Sequence, residues 1–171
     1  MSRAITATIV NHVAIDIDAP AEAVWDVIIE QFVDAKGFRS IGTVTDLDDL
    51  SAPLGGYHIR LDLADDGPDE RVARITERND AARRLSLFAD YLSVPGGMCV
   101  YATYHAQEVP GGARFALDCH TSVQLDLPAD ASRADVAATI EERTASYDEA
   151  LAERLEKMKA RLETQTMEEK S

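Results

Sequence analysis

The stretch HVAIDIDAPAEAVWDVI, residues 12–28, changes its hydrophobic period within three residues. Val13, Ile15 and Ile17 alternate with Ala14, Asp16 and Asp18, the period of a half-buried strand. Val24, Val27, Ile28 and Phe32 then recur at helical spacing, with Trp25 beside them. At the junction Asp18 stands where an N-cap would, Pro20 suits the first helical turn, and Glu22 puts an acid where the helix dipole favours one. The spacing predicts a strand that enters a helix through a very short connection.

Beyond this unit the chain reads as a series of strands. One is expected around Arg39 to Leu47, followed by DLDDLSAPLGG, whose Asp, Ser, Pro and Gly mark a loop. Tyr57, Ile59, Leu61 and Leu63 alternate with His58, Arg60 and Asp62 as a clear strand. The turn ADDGPDE leads to RVARITER, a strand with mixed faces, and the turn NDAARR to a strand whose inner face is Leu85, Leu87, Ala89 and Tyr91. SVPGG at 93–97 and VPGG at 109–112 carry turn residues and bound two long strands, Met98 to Glu108 and Ala113 to Leu127. Strands joined by such short turns form an antiparallel sheet.

The end of the chain differs in kind. Val136, Ile140, Tyr147, Leu151, Leu155, Met158 and Leu162 follow helical spacing, and Ser132 with Asp135 forms a variant capping box. A helix from about Arg133 to Leu162 would be roughly 45 Å long, enough to cross the whole sheet. Residues 1–164 are therefore expected to form one domain, and residues 165–171 a polar tail that frays.

Composition narrows the function classes. Hydrophobic residues at 46% and charged residues at 28% over 171 positions fit one folded domain rather than a disordered chain. A net charge of −14 opposes binding to phosphate backbones, so nucleic acid is not expected as a partner. The apolar run Ala23 to Ile29 is broken by Asp26 and is too short to insert in a membrane. The first residues lack the apolar stretch and cleavage site of a signal peptide, which points to a cytoplasmic location. Cys99 and Cys119 cannot alone form a disulfide framework, and His12, His58, His105 and His120 show no metal-ligand spacing. No metal and no cofactor are expected.

The order of strand, helix, about six further antiparallel strands and one long amphipathic helix is an α+β arrangement. In IDAPAEAVWDVI (17–28), ARITERNDAARRLSLFADYLSVPGGMCVYATY (73–104) and VPGGARFALDC (109–119), with the last helix, the chain resembles the START-like helix-grip superfamily (SRPBCC), in its polyketide cyclase/dehydrase-like branch. That resemblance implies a curved antiparallel sheet wrapped around the C-terminal helix. It also implies a cavity between the two that takes lipids, polyketides or other small hydrophobic molecules.

A register argument nominates residues for such a cavity. A four-residue loop centred on Gly111 and Gly112 would pair Tyr104 with Cys119, Ala102 with Thr121 and Val100 with Val123. Phe115, Leu117, Cys119, Val123 and Leu125 share one apolar face, so Tyr104, Cys119 and Thr121 point inward together. Tyr57, Tyr91 and Tyr147 fall on inward faces by the same reasoning, and Leu151 lies one turn beyond Tyr147. These seven are the candidate ligand contacts; each tyrosine also fits plain core packing with its hydroxyl satisfied nearby. The same register sets His105 opposite Asp118 and Thr103 opposite His120 on the outer face, where a cross-strand ion pair is the natural reading. No residue is assigned a catalytic role. The acidic stretches 46–49 and 64–70 lack the regular oxygen spacing of a calcium loop and read as solvated.

Three functions fit. The first is binding or transport of a small hydrophobic ligand. The second is a cyclase/dehydratase-like enzyme, which would need an ionisable group near Tyr104, with Arg71 or Glu77 as the candidates. The third is a non-catalytic interaction module with a filled core and an acidic surface. The outer C-terminal half of the last helix could also serve a homodimer.

Overall fold

The computed structural model describes residues 2–48, 50–63 and 67–169. Asp49 and residues 64–66 lie outside them, and with them part of each acidic stretch expected to be a solvated loop. Strand β1 (Ser2–Ile17) leads into α1 (Ala21–Phe32) and the short α2 (Lys36–Arg39). Then come β2 (Thr43–Asp46), β3 (Gly56–Leu63), β4 (Gly67–Asn79), β5 (Arg84–Tyr91), β6 (Met98–Val109), β7 (Gly112–Pro128) and α3 (Arg133–Glu169). The strands form one antiparallel sheet in the order β1-β7-β6-β5-β4-β3-β2, so the first strand closes against the last. No helix among the described residues is long and apolar enough to cross a membrane.

The alternation at Val13–Ile17 extends back to the start of the chain. β1 pairs with β7 from Ser2↔Pro128 to Ile17↔Ala113. Its inward positions Ala7, Ile9 and Asn11 are buried, but a small residue and an amide among them blur the hydrophobic period. At the other end, helix α1 starts with Pro20 as its N-cap, in extended backbone without a side-chain cap. Asp18 therefore does not cap the helix; its backbone N–H donates to Glu163 Oε1 of α3 at 3.0 Å. β2 is shorter than expected because Lys36–Arg39 winds into α2.

The β6–β7 register corrects the expected one. Tyr104 pairs with Leu117, Ala102 with Cys119 and Val100 with Thr121, two residues away from the anticipated partners. The reason lies in the turn: its central residues are Pro110 and Gly111, with Gly111 at φ +88°, as a tight proline–glycine turn requires. Gly112 already belongs to β7, where a Cβ would come within 2.1 Å of the Ile17 carbonyl oxygen. A slip of two leaves every side chain on its face. It changes the cross-strand pairs, however. Thr103 lies opposite Asp118, Tyr101 opposite His120 and His105 opposite Ala116. Asp118 instead meets His12 of β1, with Nδ1 and Oδ1 2.5 Å apart on the exposed face.

One face of the sheet and both long helices share the core. β7 buries Ala113, Phe115, Leu117, Cys119, Thr121, Val123, Leu125 and Leu127, every second residue. Val24, Trp25 and Ile28 of α1 and Leu155 and Leu162 of α3 pack against this face. The Ser132–Asp135 box starts α3: the carboxylate accepts from the Ser132 N–H at 2.8 Å, and the Ser132 hydroxyl accepts from the Asp135 N–H at 3.2 Å. α3 continues past Leu162, where its apolar stripe ends, to Glu169. Buried Asn11 ties the helix to β1, donating to the Thr144 carbonyl at 3.1 Å and to Asp148 Oδ1 at 2.8 Å.

Candidate functional site

The inner faces of β5, β6 and β7 do not meet α3 everywhere. Between them lies a cavity of about 310 Å³. Its sheet side is Tyr91, Met98, Val100, Ala102, Tyr104, Phe115, Leu117, Cys119 and Thr121; Phe32 closes it from α1. Tyr147, Ala150, Leu151, Arg154, Leu155 and Met158 of α3 form the opposite wall. Ala102 on the sheet side and Ala150 on the helix side contribute small side chains to a lining otherwise made largely of bigger ones. Such a concave apolar space with a few polar groups is the usual form of a small-molecule site.

Six of the seven residues nominated from the sequence, Tyr91, Tyr104, Cys119, Thr121, Tyr147 and Leu151, line this cavity. Tyr57 does not. It is buried beside the site, and its hydroxyl donates to the Phe32 carbonyl at 2.8 Å. Phe32 in turn stacks on Tyr104, ring centroids 4.0 Å apart, and Tyr104 lies 6.2 Å from Phe115. Tyr57 thus holds the backbone of the residue that caps Tyr104.

Two cations lie here: Arg71, an ionisable candidate from the sequence, and Arg154, which the sequence reading does not nominate. Arg154 lines the cavity from α3. Arg71 of β4 points inward next to it, bonded to Asp69, stacked over the Phe38 and Tyr91 rings, and donating from Nη1 to the Tyr91 hydroxyl at 3.3 Å. Burial opposes the Arg71 charge, and the Asp69 hydrogen bonds with the neighbouring phenols outweigh it, so its pKa rises. Glu77, the other ionisable candidate, faces outward, where Arg84 and Ser86 bind it. A bulge in β4 between Ile75 and Glu77 reverses the parity there.

Burial governs the remaining titrations. It raises the Tyr104 phenol far above its ordinary value and raises the Cys119 thiol, although Thr121 and Arg154 both work to lower the latter. A buried thiol held protonated is a poor nucleophile. Burial also pushes Tyr57 up to about 12. A pKa higher in the folded than in the unfolded chain means that the folded state holds its proton longer. The stabilisation is complete below the unfolded value near 10 and is lost as pH rises towards 12. Resistance to urea is expected to fall across that window by on the order of 2 kcal/mol for Tyr57 alone, and less steeply in Tyr57→Phe. An equal slope in both proteins would exclude Tyr57 as a source.

No protein-family model matches the chain, and no curated protein sequence matches it. Solved structures do match in shape. A protein of unknown function from Staphylococcus aureus superposes with a TM-score of 0.62 at 10% identity, covering 95% of this chain and 98% of its own. Ara h 8.0201 gives 0.54 at 6% identity over 86% of this chain and 97% of its own. The fold is the helix-grip fold. Norcoclaurine synthase from Thalictrum flavum gives 0.51 at 13% identity over 69% of this chain and 71% of its own. At these identities the likeness establishes architecture alone.

Proposed function

We infer that the protein binds a small hydrophobic ligand, lipid-like or polyketide-like, in the cavity between its sheet and α3. The observation that carries this reading is the cavity itself: about 310 Å³ of space inside the core, walled chiefly by aliphatic and aromatic side chains. A domain gains stability by filling such a space with its own side chains, and leaving it open is favoured where something else fills it. An interaction module with a solid core is the poorer fit for the same reason. The lining described contains no carboxylate and no imidazole, and its most enclosed phenol, Tyr104, holds its proton far above the ordinary value because it is buried, which suits it poorly to the acid–base work of a cyclase. Binding or carriage without transformation is therefore the reading that the lining supports best.

Native mass spectrometry of protein purified from its own host, with the denatured spectrum and a solvent extract beside it, tests this. An added mass lost on denaturation is the expected result. Absence of an adduct, together with no uptake from a panel of fatty acids, alcohols, sterols and aromatic polyketides, would overturn it.

A further inference from the structure

The polar side chains that line the cavity, three phenols, the Thr121 hydroxyl, the Cys119 thiol and Arg154, can all donate, and Arg154 alone cannot accept. Tyr104 is 9% exposed, its side chain lines the cavity, and its hydroxyl has no hydrogen-bond partner among the described residues. The Tyr91 oxygen already accepts from Arg71, so its proton is the part left to offer. Arg154 also lines the cavity while remaining exposed, so its side chain touches both the cavity and solvent. Among the described residues it has neither a hydrogen-bond partner nor a carboxylate. Several arginines of the sheet are paired, Arg71 with Asp69, Arg74 with Asp90, Arg84 with Glu77 and Arg114 with Asp16, whereas Arg60 and Arg3, which have no carboxylate partner among the described residues, do not line the cavity. In a chain of net charge −14, acids outnumber bases, and an arginine without one at the mouth of an apolar cavity is a vacancy for an anion.

We propose that the cavity selects apolar molecules with a carboxylate head, the tail lying between sheet and α3 and the head paired with Arg154 at the opening. This rests on the ligand-binding reading above and specifies its chemistry. Arg154 presents a planar fork of donors that matches a carboxylate, and the side wall of Tyr104 and Tyr91 offers further O–H donors to an acceptor on the same molecule. The overall negative charge of the protein repels an anion at long range, so a preference for one must come from this local cation.

Decanoate and decan-1-ol share a chain and differ in the head group, and titration calorimetry of both separates the terms. Partition from water into an apolar space favours the alcohol, because the carboxylate loses its hydration. Wild type is nevertheless expected to bind decanoate about tenfold more tightly than decan-1-ol, the size of one charge-assisted hydrogen-bonded pair. Arg154→Gln is expected to erase that preference, weakening decanoate about tenfold more than decan-1-ol. Arg154→Lys keeps the charge without the fork and should retain part of the preference. Equal binding of the two probes by wild type, or an unchanged preference in Arg154→Gln, overturns the carboxylate assignment and leaves the cavity reading standing. Binding of neither probe overturns the carboxylate assignment, and the cavity reading is then decided by the adduct and panel measurement above.

Discussion

An Ala102→Phe variant is expected to fold, to unfold at the same or a higher temperature, and to lose its affinity for an apolar probe such as decan-1-ol by at least about 100-fold. Ala102 sits in β6 between Leu87 of β5 and Cys119 of β7, is 4% exposed, and turns its methyl group into the cavity. A benzyl group there occupies space that a ligand would need. At about 0.8 kcal/mol per buried methylene, excluding three or four of them accounts for roughly two powers of ten in affinity. The fold tolerates the addition because the ring enters a void rather than a packed layer; overpacking costs arise where no void exists. Gln107, exposed on the same strand, supplies the control: Gln107→Phe adds the same ring outside and should leave binding unchanged. Undiminished binding in Ala102→Phe would place the ligand elsewhere on the molecule.

The extent to which these features can be read from sequence depends on which periodicity carries them. Face assignments survived a register error at the β6–β7 turn, because side chains repeat every two residues and the error was two. Tyr104, Cys119 and Thr121 therefore reach the same wall, while the expected His105–Asp118 pair does not exist and Asp118 meets His12 instead. The pairing error came from treating Gly112 as loop. Its small size serves the close approach of β7 to Ile17, a need that arises only once β1 is known to lie beside β7. β4 resisted reading for another reason. Arg71, Ala73 and Ile75 face one way, and the bulge before Glu77 cancels the parity that would have extended to it. Arg154 did leave a signal: Tyr147, Leu151, Arg154 and Met158 follow each other at steps of four, three and four, the spacing of one helical face. A cation in register with an apolar stripe was the mark of the cavity opening. A stripe traced through apolar residues alone passes over it.

Phe115→Ala is expected to destabilise the protein by about 3–5 kcal/mol, a large part of the roughly 5–15 kcal/mol that domains of this kind possess. Phe115 is 1% exposed on β7, flanked by Ile15 of β1 and Ala106 of β6, with Tyr104 at 6.2 Å and the cavity on its remaining side. Truncation removes a buried ring and joins its volume to a space that is already open. The neighbouring strands hold one another through backbone pairing on both sides and cannot collapse into the gap, so the cavity term should be near its full size. Urea denaturation reads the loss as a lower midpoint at unchanged slope. A loss under about 1.5 kcal/mol would mean that the sheet and α3 close over the site readily, and that the cavity is soft rather than preformed. The two cases also differ towards ligand. In a preformed cavity the enlarged space admits a longer chain, and saturating dodecanoate should restore more stability to Phe115→Ala than to the wild type, following the logarithm of ligand concentration over Kd. In a soft cavity the gain is the same in both proteins, because each reshapes around what it binds. The rigidity of the grip therefore decides whether this chain distinguishes ligands by length as well as by head group.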